Sequence, residues 1–447
     1  MKMHFKWLWI PTFVIVAFLS ALFLFYRIGQ SDMAPFDEAW YAVVSRNIAR
    51  NGDVFRLRFA DKHFWDHPPV GLYLQAVNVR LFGDAPSSYR GAMAMSGLLT
   101  IVFLLVMGIK DNRPIPYLIT ALVLVTTRWW LIRVRSGNME APMLLFQTMA
   151  FVLAGRAKRG RDLWIAGLMW GLSMLTKSAI SMTMFPVMLL AGLRVEGGVK
   201  KWMIFLFSLF LIPFVWYAIS YFISGPDYIK FNLFHVGLRD GKVSGLTETN
   251  ITKVVLYWRS AVNKWYWPIN LSIIWGLFNL KKRKYFLVLS YLFISAVPYF
   301  TSAESHIWHL SPLYIPVAIL VGYMIEDAFK FKKLLGVLAM TVFGYLFVSN
   351  ALTAWKETVR VVSTYPELRL LRKASLRPFA LYTNEVSYMP QWIYYADKKI
   401  DTNFHKSEDV FTISRPFDLL THDYFLPKDN GGEIIDRERD LVLIHFK

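Results

Sequence analysis

Long apolar runs separated by short basic segments dominate the chain. Trp7 to Tyr26 is a stretch of 20 residues without a charge, long enough to cross a hydrocarbon core about 30 Å thick as a helix. Ten further runs lie near 92–109, 115–131, 139–154, 163–176, 179–193, 202–223, 266–280, 285–300, 310–325 and 334–354. The pattern predicts a polytopic α-helical membrane protein with about eleven transmembrane helices. Several runs fall short of the usual minimum of about 17 residues, so tilt or burial in the bundle has to accommodate them. Lys2 and Lys6 precede the first run and Tyr26-Arg27 follows it. With no A-x-A-like exit nearby, the run reads as a retained helix rather than a cleaved signal peptide.

The segments between the runs give the expected orientation. With the N-terminus in the cytoplasm, alternation puts residues 110–114, 155–162, 194–201, 281–284 and 326–333 on the same side. Together with the N-terminus they carry 18 Lys and Arg against five acids, and each is net basic. That is the asymmetry of the positive-inside rule. The formal net charge of +19 would suggest a nucleic-acid partner in a soluble protein. These short loops account for +13 of it, so no nucleic-acid partner is expected and the partners are membrane lipids. Composition agrees: 55% of residues are hydrophobic, 18% charged and 17% aromatic. There are no cysteines, which excludes a disulfide scaffold, a thiolate metal site and a Cys nucleophile.

Three long segments then fall outside: 27–91, 224–264 and 355–447. The expected division is a transmembrane domain over 1–354 and a small C-terminal extracytoplasmic α/β domain over 355–447, which is far more polar. In the first outer loop, Pro35-Phe36-Asp37-Glu38 opens an amphipathic helix, with Trp40, Val43, Val44 and Ile48 at helical spacing. Asn51-Gly52 ends it. Asp37 near the helix start sits where backbone N–H groups and the dipole keep a carboxylate ionised. Tyr41, four residues on, shares its face. The plain alternative is that Asp37 and Glu38 only cap an interfacial helix. About thirty residues later, Pro68 and Pro69 fix His67 ahead of a second helix.

The Asp-Glu-x-x-Tyr element after the first membrane helix, followed by His67-Pro68-Pro69-x-x-x-Tyr73, resembles the GT-C glycosyltransferases. Within them it is similar to the protein O-mannosyltransferase and lipid A aminoarabinose transferase group. Further elements follow in order: Arg135-Ser136-Gly137-Asn138-Met139-Glu140-Ala141-Pro142, Gly171-Leu172-Ser173-Met174-Leu175-Thr176-Lys177, and Ser302-Ala303-Glu304-Ser305-His306 with His309, Pro312, Tyr314 and Pro316. Leu381-Tyr382-Thr383 and Trp392-Ile393-Tyr394-Tyr395 resemble the family's small outer domain. Two positions depart from it: His67 and His306 stand where the family has Lys, and histidine is partly neutral at pH 7.

The resemblance implies a GT-C-like fold in the plasma (inner) membrane. It implies an inverting glycosyltransferase that takes a sugar from a polyprenyl-phosphate-linked donor and passes it to a glycan, lipid or protein acceptor outside the membrane. Asp37 is the expected catalytic carboxylate. Tyr41, His67, Arg135, Lys177, His306 and His309 are expected to contact the donor phosphate or substrate. Glu38 and Glu140 are expected to orient the acceptor or bind a metal. Outer carboxylates and histidines allow a divalent metal, but no spacing such as His-Glu-x-x-His supports one. Each residue also has a plainer reading: Arg135 as an interface anchor beside Arg128 and Arg133, Lys177 snorkelling at a span end, His306 and His309 in a solvated loop. Within the second outer loop, His235 and Arg239 accompany Lys253, Tyr257, Trp258 and Trp265-Tyr266-Trp267, which read as an interfacial belt or as sugar-stacking side chains. The competing function is a transporter or flippase for a lipid-linked sugar. A transporter more often places its charges at mid-membrane on paired broken helices, whereas this chain gathers its unusual residues in outer loops.

Overall fold

The computed structural model describes residues 9–60, 62–232, 247–301, 306–362, 365, 367–384, 389–401, 407–425 and 431–447. Expected site segments 302–305, His235 and Arg239 lie outside the described residues. The helices are α1 (Trp9–Phe25), α2 (Asp37–Asn51), α3 (Val70–Phe82), α4 (Pro86–Lys110), α5 (Pro114–Thr126), α6 (Arg128–Val134), α7 (Glu140–Arg156), α8 (Leu163–Met182), α9 (Phe185–Gly192), α10 (Gly198–Ser224), α11 (Pro226–Lys230), α12 (Glu248–Val262), α13 (Tyr266–Phe278), α14 (Arg283–Thr301), α15 (Ser311–Phe331), α16 (Lys333–Val359), α17 (Leu368–Ser375) and α18 (Met389–Ala396). Each apolar run of the sequence coincides with one or two of them.

Five helices among the described residues are long and apolar enough to cross a membrane: α4, α10, α14, α15 with the 3-10 turn ahead of it, and α16. Helices α5 and α6 qualify as a sixth span if counted together, bent by 74° at Thr127. The protein is therefore a helical membrane protein. Apart from α8 with its 20 residues, its remaining apolar helices are shorter, as the sequence foreshadowed. Helices α10 and α16 leave rows of large apolar side chains uncovered, among them Phe207, Phe214, Leu338 and Val348. In a bilayer such rows face lipid.

By contacts the chain gathers into two compact units: 1–28, 65–74 and 90–360 form one, and 29–64, 75–89 and 361–447 the other. The sequence division at 354/355 assigned the whole first outer loop to the transmembrane part. The contacts group most of that loop with the C-terminal region instead.

In the first unit, α7 packs on α8, α8 on α10, and α5 on α15. A side chain at Gly171 would meet the Leu209 carbonyl 2.5 Å away. The glycine of the Gly-Leu-x-x-Leu-Thr-Lys element thus lets α8 and α10 approach closely, which is how small residues pack membrane helices. The sequence pattern ends one span at Thr176 and starts the next at 179. Instead α8 runs on to Met182, because nothing at 177–178 stops a helix. The break falls at Thr183, ahead of Pro186 in the first turn of α9. Lys177 is therefore inside a helix rather than at an outer turn.

The second unit holds a mixed five-stranded sheet in the order β4-β3-β5-β7-β6. A separate two-stranded ribbon pairs β1 (Arg58–Phe59) with β2 (Lys62–His63). In the large sheet, β3 (Ala380–Thr383) lies parallel to β4 (Ile400–Asp401) and β5 (Phe417–His422). Strand β7 (Leu441–Phe446) is antiparallel to β5 and to β6 (Glu433–Glu438). Alternation splits its apolar residues between two faces. Leu381, Leu420 and Leu443 pack with Leu371, Trp392 and Ile393 of the helices. Phe417, Leu419, Val442, Ile444 and Phe446 form the opposite cluster. A small α/β fold was expected here, and this sheet domain is what the sequence element at 376–395 belongs to.

Helix α2 is docked within this second unit. The buried Arg46 guanidinium donates to the Tyr394 and Ile393 carbonyls at 2.8 and 3.2 Å. The Met33 N–H donates to the Tyr395 hydroxyl at 2.9 Å, and the Gln391 amide donates to the Met33 carbonyl. The Asp-Glu-x-x-Tyr element and the Trp392-Ile393-Tyr394-Tyr395 element are thereby parts of one packed structure.

Candidate active site

Asp37 is the first residue of α2 and is exposed. Its neighbour Glu38 is buried and accepts the Ala34 N–H at 2.7 Å. The two carboxylates therefore divide: Glu38 ties down the chain entering the helix, and Asp37 faces out. Phe36, just before Asp37, holds φ = 66°. That is an unusual conformation for a bulky residue, and such strain concentrates at functional positions. Tyr41 is buried, its ring edge-on to Phe64 at 6.3 Å, so it does not share the exposed face of Asp37.

The charged centre of the helical unit is Glu140, the first residue of α7 and nearly fully buried. One carboxylate oxygen, Oε1, accepts both Arg133 Nη2 and Lys177 Nζ, each at 2.7 Å. The other, Oε2, is buried and has no hydrogen-bond partner among the described residues. Two cations on one carboxylate leave an excess charge of one. An orphaned carboxylate oxygen is costly in a folded interior and marks a place where a further donor is wanted. Tyr314 of α15 is buried here too, its hydroxyl likewise without a partner and its ring stacked on Trp258 at 6.2 Å.

An aromatic wall adjoins the cluster. The Arg133 guanidinium lies over the Trp308 ring at 5.6 Å. Trp308 stacks on His306 at 4.6 Å and approaches Trp129 at 6.4 Å. The His309 ring accepts the His306 backbone N–H at 3.2 Å through Nδ1. His306 and His309 thus form a turn with an indole packed against both. Trp258 belongs to this site by its stacking on Tyr314. Trp265 is buried and donates to Thr126 at 3.1 Å, whereas Trp267 is exposed, the position expected of an interfacial belt.

His67 joins the same unit. A side chain on Gly71 would collide with the Met139 thioether, so the glycine lets the start of α3 close on the residue preceding Glu140. The His67 Nδ1 is buried. Burial first, and then the nearby Lys177 charge, hold its pKa well below the usual value, with Glu140 opposing. The imidazole is neutral at pH 7. It can exchange a proton or a neutral hydrogen bond, and it is not the cation that a lysine would be in its place.

Arg135 is placed elsewhere. Its guanidinium donates to the carbonyls of Phe23, Leu24, Tyr26 and Thr358 at 2.5, 2.9, 2.9 and 3.1 Å. These are the carbonyls left open at the C-terminal ends of α1 and α16, and a cation there also meets the negative helix ends. The structure brings Glu140, Lys177, His67, His306 and His309 into the helical unit's cluster and leaves Arg135 as a cap. The residue that sequence reasoning passed over is Arg133. No spacing singles it out from Arg128 and Arg135, because the bend between α5 and α6 decides which arginine turns inward. Among the described residues, no three His, Asp or Glu side chains converge as metal ligands.

The fold and sequence have recognisable counterparts. Residues 66–219 match the family model for dolichyl-phosphate-mannose-protein mannosyltransferase, a segment that contains His67, Arg133, Glu140 and Lys177. Over 249 residues the chain is 24% identical to an undecaprenyl phosphate-alpha-4-amino-4-deoxy-L-arabinose arabinosyl transferase of Pseudomonas fluorescens, covering 52% of this chain and 44% of that protein. A protein of the same name from Proteus mirabilis is 23% identical over 352 residues, 73% of this chain and 60% of that one. The chain thus matches less than two thirds of the length of these relatives. Its fold is that of ArnT from Cupriavidus metallidurans, solved bound to undecaprenyl phosphate: TM-score 0.74, 14% identity, 98% of each chain covered. An oligosaccharyltransferase of Archaeoglobus fulgidus, solved with zinc and sulfate, is more distant: TM-score 0.58 and 11% identity over 92% of this chain and 67% of that one. The GT-C resemblance read from the sequence is supported by these matches.

Proposed function

We propose that this protein is an inverting glycosyltransferase that takes a sugar from a polyprenyl-phosphate carrier and transfers it to an acceptor at the extracytoplasmic face of the membrane. The observation that carries this reading is the Glu140 cluster: Arg133 and Lys177 share one buried carboxylate oxygen at 2.7 Å, in a chain with the fold of a protein solved bound to undecaprenyl phosphate. Undecaprenyl-phosphate aminoarabinose is the first donor to try.

In the transfer, the bond between the anomeric carbon and the carrier phosphate oxygen breaks as the acceptor oxygen bonds to that carbon. The acceptor loses a proton, and the carrier phosphate leaves with one more negative charge. Three side chains meet those two needs. Asp37, exposed at the start of α2, takes the proton or holds the acceptor hydroxyl in line. Arg133 and Lys177 meet the charge that grows on the phosphate, where preorganised cations act most strongly. Glu140 is the positioning residue, because its carboxylate is already engaged by two cations and fixes where they point. Its Oε2 is then available to accept a hydroxyl of the sugar, and the Tyr314 hydroxyl can donate to the sugar or the phosphate. The aromatic wall at Trp308 and Trp258 suits the apolar face of a sugar ring.

The test is transfer by the purified chain in liposomes from radiolabelled undecaprenyl-phosphate aminoarabinose, and from the mannosyl analogue, to lipid, glycan and peptide acceptors. Transfer is expected, and Asp37→Asn is expected to lower turnover by at least about a hundredfold, the scale of general-base catalysis. Full activity in that variant removes Asp37 from the chemistry. Movement of the donor across the bilayer without transfer identifies a flippase instead.

A further inference from the structure

A second charged cluster, this one around a cavity, lies at the other end of the helical unit. Glu140 and Arg156 are the first and last residues of α7, so the two ends of this helix stand about 24 Å apart at 1.5 Å rise per residue. The cavity at the Arg156 end has a volume of about 230 Å³. It lies between the ends of α5, α7, α14 and α15.

Its lining has two halves. At the polar end are Arg113, Arg156, Arg283 and Lys284 with one acid, Asp111, and the hydroxyl-bearing rings of Tyr117 and Tyr323. At the other end are Phe151, Val152, Val288 and Ile319. A small soluble anion has no use for the apolar half. A lipid with a charged head and a hydrocarbon chain uses both.

The charge balance favours an anion. Three carboxylates stand in this region. Asp111 pairs with Arg156, Glu326 with Arg113 and Lys284, and Asp327 with Lys284. Lys282 and Lys330 reach the same carboxylates from outside, at 3.4 and 3.2 Å. Six cations with Arg283 therefore face three carboxylates. Arg283 is the one that pairs with no carboxylate among the described residues; its Nη2 donates to the Ala191 carbonyl at the end of α9, at 2.9 Å. The Lys284 ammonium is additionally held over the Tyr285 and Tyr323 rings, each at 4.9 Å. The cations are thus fixed in place before any ligand arrives, which lowers the cost of binding one. This is the end of the bundle whose loops carry the basic excess, and basic pockets between membrane helices on that side take anionic lipid head groups.

We propose that this cavity binds the phosphate head group of an anionic phospholipid, with the first carbons of its chain along the apolar wall. The site is separate from the Glu140 cluster, and its occupancy is read without any transfer assay.

The experiment is native mass spectrometry of the full chain in detergent, titrated with phosphatidylglycerol or phosphatidylcholine. Retention of at least one phosphatidylglycerol is expected, with phosphatidylcholine held about tenfold more weakly. Arg283→Gln is expected to weaken phosphatidylglycerol retention by about tenfold. Arg283→Lys keeps most of the retention, and Lys281→Gln, an exposed cation on the same loop outside the cavity lining, leaves it unchanged. Thermal melting without lipid checks that the Arg283 variants remain folded, and the paired Gln and Lys replacements separate charge from fold. Equal retention by Arg283→Gln and the unaltered chain overturns the proposal, as does an equal loss in Lys281→Gln, which indicates unspecific surface attraction. Displacement of the lipid by millimolar inorganic phosphate or glycerol phosphate also overturns it, since the ligand is then a soluble phosphate.

Discussion

The helical unit has an ion cluster at each end, and the two are satisfied to different degrees. At the Glu140 end, two cations share one oxygen, the second oxygen is orphaned, and the Tyr314 hydroxyl is orphaned beside it. At the Arg156 end, Glu326 takes Arg113 through both oxygens, Asp327 takes Lys284 and the Tyr285 hydroxyl, and Asp111 takes Arg156 and the Tyr117 hydroxyl. Buried carboxylates normally gather enough donors to offset their desolvation. The second cluster does so and fastens α5, α14 and α15 together. The first leaves part of that cost standing, which makes sense where a substrate completes the set. Unsatisfied carboxylate capacity, rather than the number of charges, marks the candidate active site; at the other end the carboxylates are satisfied and the spare charge is cationic.

The comparison breaks most directly at Lys177. Lys177→Met is expected to lower turnover by roughly a hundredfold to a thousandfold, the scale of removing one preorganised donor from a developing negative charge. It also leaves Glu140 in a balanced pair with Arg133, so the loss of stability should be small. Glu140→Gln with both cations kept leaves Arg133 and Lys177 together without a counter-charge and should lower the melting temperature more. If Lys177→Met keeps full turnover, the Glu140 cluster is a fastening like its counterpart.

The opposite end sharpens the contrast with the reverse outcome. Glu326→Gln leaves Arg113 with a neutral partner in a largely buried place and should cost about 2 kcal/mol, less than a fully buried broken pair because Arg113 is partly exposed. Turnover per folded molecule should stay within about twofold, since the substitution is a helix length from Glu140. Denaturation in mixed micelles, run beside the transfer assay, reads both quantities.

These outcomes bear on what the sequence could and could not reveal. Helix positions were legible because burial in lipid leaves a long apolar signature, and every expected run is helical. Helix α2 was legible from the spacing of Val43, Val44 and Ile48, and its first residue is Asp37 as expected. Three features were not. The grouping of 29–64 with the C-terminal sheet depends on contacts more than 340 residues apart, such as Arg46 with Tyr394, which no local pattern encodes. The choice of Arg133 over Arg135 depends on the bend at Thr127. The path of α8 through Lys177 was hidden because a lysine at the end of an apolar run reads as a boundary, while here it is drawn inward by Glu140, 37 residues earlier at the start of α7.

His67 gives the smallest and most specific test. In the folded chain its imidazole is buried beside Lys177, which lowers its pKa well below the ordinary value near 6.5. A depressed histidine pKa means the unfolded chain binds a proton that the folded chain refuses. Above about pH 6.5 both states are neutral at this residue and it contributes no pH dependence. As pH falls below 6.5 the unfolded state gains the proton first, so stability declines, with a limiting slope of about 1.4 kcal/mol per pH unit until the folded pKa is reached. His67→Asn should flatten that part of the stability profile between pH 6.5 and 5. His67→Lys, which restores the cation of the resembling family, places a permanent charge near Lys177 and should lower stability at pH 7 as well. It should also raise the affinity for an anionic donor if the Glu140 cluster is a phosphate site, and leave it unchanged if the cluster is only a fastening. A donor titration at pH 7 on unaltered chain and His67→Lys separates the two.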